Sequence, residues 1–173
     1  MIENIGFRRA VVADVDNIWS ILDEAINKRK HEGSDQWQDG YPNRDVILKD
    51  IEDGHGFVAE RAETGLVAYI AIIGDIEPAY EKLEGEWLSI RPYTVIHRLA
   101  VSQSDPIKGL GTWMMLEAEK ISLSMDRQSI KVDTNYDNTG MLRVFDKLGY
   151  VYCGEVYFRG GARRAFEKLL DAN

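Results

Sequence analysis

The sequence predicts an α+β fold, a mostly antiparallel sheet of six to seven strands with helices on both faces. Two observations carry this expectation. Apolar residues alternate in some segments and recur at helical spacing in others, in the order β-α-α-β-β-β-α-β-α-β-β. Consecutive strands joined by short turns pair antiparallel, and the helices between them cover the sheet. At 173 residues, a single domain over 1–173 is expected.

Phe7 to Val12 alternates as a strand does. Asp14 then stands as a helix N-cap before the stripe Val15, Ile18, Trp19, Ile21, Leu22, Ala25 and Ile26. Trp37-Gln-Asp-Gly-Tyr-Pro42 is a turn carrying two large aromatics. A second helix buries Val46, Ile47 and Ile51 and stops near Gly54. Gly56 to Arg61 and Leu66 to Ile73 form a hairpin across Glu63-Thr-Gly65. Residues 74–92 are an acidic, irregular excursion with room for one short helix. A strand over Thr94 to Val101 follows, then a helix with Met114, Ala118, Ile121 and Met125 on one face. Ile130 and Val132 mark a short strand. Leu142, Phe145 and Leu148 mark a helix closed by Gly149. Val151 to Phe158 and Ala165 to Leu169 close the sheet around a Gly160-Gly161 turn.

Composition narrows the function. Hydrophobic content of 45% and charged content of 29% describe a globular protein. A net charge of -8 argues against general nucleic-acid binding and suits a neutral or cationic substrate. Cys153 is the only cysteine; it reads as a buried small hydrophobe, and a reducing compartment is expected. There is no leader pattern and no apolar run of membrane-spanning length, so a cytoplasmic location without membrane partners is expected. His31, His55 and His97 lack metal-ligand spacing with one another or with Cys153, so no metal site is expected.

The informative stretch runs from Val95 to Thr112. A strand feeds a glycine turn that opens an amphipathic helix, where unpaired amides and the helix dipole favour an anion. Gly111-Thr112 lacks the lysine of a Walker-type loop, and Met114 stands where a dinucleotide fingerprint needs a third glycine. A plain helix-start turn is the alternative.

Strand, Pro106-Ile-Lys-Gly-Leu-Gly111, helix, Asn138 and Leu148-Gly-Tyr150 together resemble the GCN5-related N-acetyltransferase superfamily, from about Phe7 to Leu170. The Trp37 to Pro42 segment and Arg163 to Lys168 look like a bacterial subgroup of undefined substrate. The resemblance implies a twisted sheet with a splayed central strand pair, and acetyl-CoA as co-substrate. It implies that backbone around Leu99, Ala100 and Val101 pairs with the pantetheine arm. Lys108, Gly109, Leu110, Gly111 and Thr112 would cradle the diphosphate, with Asn138 supporting the cofactor. Two positions depart from the family pattern. Pro106 replaces the polar first residue of the loop, and Phe145 stands where many members carry a tyrosine acid.

Tyr152 is therefore the candidate acid, with Tyr136, Tyr150 and Tyr157 as alternatives; strand tyrosines also serve simply as packing. His97 is the candidate for accepting the amine proton, or else a satisfied core histidine. Trp37 and Tyr41 either line the acceptor pocket or pack as a lid. Glu77, Glu81, Glu84 and Glu86 read as solvated surface, and their alternative is attraction of a cationic amine. The expected activity is acetyl transfer to a primary amine of a small molecule or peptide, in a chain that can form a homodimer. The alternative is a catalytically weak CoA-binding or regulatory module on the same fold.

Overall fold

The computed structural model describes residues 2–159 and 161–171, so Gly160 of the expected closing turn lies outside the described residues. The helices are α1 (Val15–His31), α2 (Arg44–Glu52), α3 (Leu110–Ser124) and α4 (Thr139–Leu148). The strands are β1 (Ile5–Arg9), β2 (Gly56–Arg61), β3 (Gly65–Ile73), β4 (Glu84–Gly85), β5 (Thr94–Val101), β6 (Ser129–Thr134), β7 (Val151–Phe158) and β8 (Gly161–Leu169). They form a mixed, mostly antiparallel sheet in the order β1-β2-β3-β5-β6-β8-β7-β4. This is the expected α+β architecture. The eighth strand, β4, is two residues long and too short for an alternation to be read. It approaches β7 closely because Gly85 faces Gly154; a Cβ on Gly85 would lie 2.1 Å from the Cys153 carbonyl oxygen. The parallel β5–β6 ladder holds two residue pairs, Thr94–Ile130 and Val95–Lys131, although β5 continues to Val101.

By contacts the chain divides into two compact units, Met1–Ala71 with His97–Met115, and Ile72–Ile96 with Leu116–Asn173. In the first, Ile18, Ile21 and Leu22 of α1 pack with Ile47 of α2, Val58, Tyr69 and Ala100. Each large aliphatic side chain buried there contributes roughly 1.5–3 kcal/mol. Asn43 caps α2 by accepting from the Val46 amide at 3.0 Å.

Asp14 occupies the expected N-cap position of α1 but makes no side-chain cap to that helix. Its carboxylate instead accepts from the Val11 amide at 2.8 Å and from two Arg8 nitrogens at 2.8 and 3.0 Å. The Arg8 hydrogen bonds hold the Asp14 carboxyl below its ordinary value against burial, with the Val11 amide adding to the effect. A carboxyl depressed on folding stabilises above its unfolded pKa, and that stability is lost as pH falls through the folded value. Asp14→Asn should therefore cost on the order of 1 kcal/mol at neutral pH, because Arg8 is partly solvated. The gap from wild type should begin to narrow as pH falls below the ordinary carboxylate value near ~4 and should close once pH passes the depressed value of Asp14. Urea unfolding at several pH values checks this.

In the second unit, Tyr80, Val95, Val156 and Ala165 form a core. Phe145 of α4 packs on Tyr150 and Phe166, with ring centroids 5.5 and 5.0 Å apart. Gly149 closes α4 at φ 79, in the left-handed region that favours glycine. Helix α3 stops at Ser124, so Met125, expected on its buried face, lies beyond the helix and is exposed. The excursion at 74–92 holds a 3-10 turn over Pro78–Lys82 and β4.

Candidate functional site

The β-branched run of β5 buries Thr94, Val95 and Ile96, then the strand changes character at Arg98. Arg98 has φ 55, a left-handed conformation that costs a side chain of this size on the order of 1–3 kcal/mol. A buried polar cluster holds it there. Its guanidinium donates to both Asp50 carboxylate oxygens, at 2.8 and 2.6 Å, and through Nη1 to the Tyr41 hydroxyl. Tyr69 donates to the same carboxylate at 2.5 Å. The Arg98 and Asp50 side chains are only 8% and 5% exposed, so their charges have no solvent to fall back on. Burial opposes the Arg98 charge, but Tyr41 and Asp50 outweigh it and raise the guanidinium above its ordinary value. Burial and then Asp50 raise the Tyr69 hydroxyl, keeping it a donor. Immediately after this kink, Leu99 and Val101 are half-buried, and Ala100 between them is buried in the α1–α2 core.

Two carboxylates fix the turn that follows. Glu24 of α1 accepts from the Gln103 amide at 2.6 Å and the Ser104 amide at 3.3 Å. Burial resists its charge, but the Gln103 amide and the Ser104 hydroxyl and amide hold the carboxyl below its ordinary range. Asp105 accepts from Thr64 at 2.7 Å and from Arg61 at 3.2 Å, which ties the turn to the β2–β3 hairpin. Thr64 and then Arg61 lower its pKa. The turn also closes on itself, as the Asp105 amide donates to Ser102 Oγ at 3.1 Å.

The chain then runs through exposed Pro106 and Lys108 to Gly109 at φ 82. Leu110 is buried, its amide reaching the Ile107 carbonyl at 3.2 Å, and the first helical bond runs from Trp113 to the Gly109 carbonyl at 3.0 Å. The first-turn amides of Gly111 and Thr112 are left without intrahelical acceptors, at the positive end of the 15-residue α3. A Cβ built on Gly109 or Gly111 meets no described atom within 4 Å. The space before both glycines is thus open to a ligand, and the residues fit a diphosphate.

The other expected residues have definite surroundings. His97 is half-buried on β5. Trp37, at φ 62, packs against the α1–α2 core, while Tyr41 is bonded to Arg98. In the second unit, Asn138 caps α4 by accepting from the Met141 amide at 3.2 Å. Tyr152 is 54% exposed and lies edge-on to Phe166. Phe145 is 1% exposed. Tyr150 is buried, which raises its hydroxyl well above the ordinary value, and that hydroxyl has no partner among the described residues. Tyr157 donates to Glu84 at 2.9 Å, which with burial pushes it up to about 12. Tyr136 lies under Arg164, 4.6 Å from its ring centre. Asp50, Glu24 and Asp105 were not among the sequence candidates. The one local signal was Ser102-x-x-Asp105, the spacing of a self-capping turn.

The family model described as Acetyltransferase (GNAT) family matches residues 19–150. The structure is similar to that of a GNAT-family acetyltransferase from Streptococcus agalactiae, 32% identical, with 99% of each chain covered and a TM-score of 0.87. A GNAT-family acetyltransferase from Listeria monocytogenes shares the fold at 23% identity, with 96% of this chain and 95% of that one covered and a TM-score of 0.77. The Salmonella typhimurium protein yncA, solved with its cofactor acetyl-CoA, shares the fold at 14% identity, with 99% and 96% covered and a TM-score of 0.70. No curated protein matches the chain.

Proposed function

The chain belongs to the acetyltransferase (GNAT) family, and from that premise we propose that it moves acetyl from acetyl-CoA directly to a primary amine of a small molecule or peptide. The observation that carries this reading is the open glycine turn at the start of α3, where the first-turn amides have no intrahelical acceptor. Acetyl-CoA would supply an activated thioester. The amides of Lys108, Gly109, Gly111 and Thr112, with the exposed Lys108 ammonium, would hold its diphosphate. Backbone groups of Leu99 to Val101 would pair with the pantetheine amides as an added strand, and one N–H of that edge would stabilise the developing oxyanion. Much of the rate would come from holding amine and thioester in contact.

His97 would accept the amine proton, directly or through a water, and Tyr152 would return a proton to the departing thiolate. Trp37 and Tyr41 would face the acceptor. The test is release of free thiol from acetyl-CoA across a panel of amines. Tyr152→Phe should lower kcat by roughly 10²–10⁴ with acetyl-CoA affinity kept, the loss typical of a positioned acid. An unchanged kcat would remove Tyr152 from this role.

The burial of Phe145 at the usual acid position favours a second reading, a CoA-binding module with weak catalysis. Acetyl-CoA binding without turnover on any amine would support it.

A further inference from the structure

The excursion between β3 and β5 walls an open depression of about 670 Å³, lined by Glu81, Glu86, Trp87, Leu88, Tyr93 and Lys131 among others. That volume is within the range of small-molecule sites. Its distinctive group is Lys131 of β6, a residue only 5% exposed. The Lys131 ammonium lies 4.4 Å from the Trp87 ring centre and 4.0 Å from that of Tyr93, so the two rings hold and aim it. Trp87 is itself pinned by an Nε1 hydrogen bond to the Tyr80 carbonyl at 3.0 Å.

An ammonium has three donors, and among the described residues no oxygen accepts from this one. The obvious acceptor is its cross-strand neighbour Glu167, which is wholly buried. That carboxylate already takes the Leu88 amide at 2.6 Å, Ser89 Oγ at 2.8 Å and Ser129 Oγ at 2.7 Å. Three donors thus occupy Glu167, and the Lys131 donors face the depression. The ammonium reaches solvent only through the depression, and an incoming carboxylate would exchange that contact for a charge-assisted hydrogen bond.

The rim is acidic on balance. Glu81, Glu86 and Arg91 are all exposed there, so two carboxylates against one guanidinium make an ammonium welcome beside the carboxylate that Lys131 would take. Leu83, Leu88 and Ile90 add apolar surface beside them.

We propose that this depression binds a free α-amino acid with an apolar side chain, its carboxylate on Lys131 and its ammonium toward Glu81 and Glu86. Burial pushes the Lys131 ammonium down, against the pull of Glu167 and Glu81, and an added carboxylate would offset that burial.

Calorimetric titration with L-phenylalanine, phenylacetate and phenethylamine tests the proposal. L-Phenylalanine should bind saturably, and both single-charge analogues at least tenfold more weakly. Lys131→Met, which keeps the apolar stem, should weaken L-phenylalanine at least tenfold. Glu81→Gln, on the exposed rim, should weaken it several-fold even if the Lys131 variant does not fold. Acetyl-CoA titration of the same samples should be unchanged, which separates this site from the cofactor reading. No binding of L-phenylalanine, or binding indifferent to both substitutions, would overturn the proposal. Equal affinity for phenylacetate would overturn the role of the acidic rim.

Discussion

Asp50→Ala is expected to destabilise the protein by about 3–5 kcal/mol, the usual cost of removing one partner from a buried ion pair. The size follows from what remains. Arg98 would keep only Tyr41 as a hydrogen-bond partner among the groups that now serve its guanidinium, in a position 8% exposed. The Tyr69 hydroxyl, wholly buried, would lose its acceptor as well. The left-handed backbone at Arg98 would lose its anchor, so the β5 edge beyond it should loosen. Urea unfolding at neutral pH should show a reduced midpoint, while Asp16→Ala, at a side chain 85% exposed, should stay near wild type. A loss under about 1 kcal/mol for Asp50→Ala would mean the pair is not what holds this kink. Arg98→Met should cost a comparable amount, because it leaves the Asp50 carboxylate, 5% exposed, with Tyr69 alone.

The second large effect concerns the glycine turn. Gly111→Glu should weaken acetyl-CoA binding by at least about a hundredfold, because it sets a carboxylate where two phosphates are expected, with like-charge repulsion of several kcal/mol. It should do so without unfolding the chain. Gly111 does not sit at positive φ, and a Cβ there meets no described atom within 4 Å. Gly109→Glu is a poorer probe. Its φ of 82 would strain any side chain, so lost binding would mix with roughly 1 kcal/mol of lost stability. Thermal unfolding of Gly111→Glu beside its titration separates the two effects.

The sequence showed the elements whose signals are local. The α1 stripe, the β2–β3 hairpin, Gly149 after α4 and the glycine turn before α3 are all written in short contiguous segments. What it hid are the polar groups that shape the site through distant partners. Asp50 sits on α2 beside apolar Ile47 and Ile51, and its partner Arg98 is 48 residues away. Glu24 on α1 and the Gln103 amide are 79 residues apart. Asp14 was placed at a helix start by its neighbours, but its carboxylate is claimed by Arg8 on β1. In each case the type of residue was visible and the partner was not. The Lys131 depression was hidden for the same reason, since an alternating strand pattern does not say which charged residue lies between two rings.

On the proposed function, the turn from Lys108 to Thr112 would cradle the diphosphate of acetyl-CoA. The most direct measurement is calorimetric titration of wild type and Gly111→Glu with acetyl-CoA and, in parallel, with pantetheine, which lacks the diphosphate. Wild type should bind acetyl-CoA at one site and pantetheine far more weakly, and Gly111→Glu should lose only the acetyl-CoA advantage. Equal binding of acetyl-CoA by both proteins, or none by wild type, would rule out this turn as the diphosphate cradle.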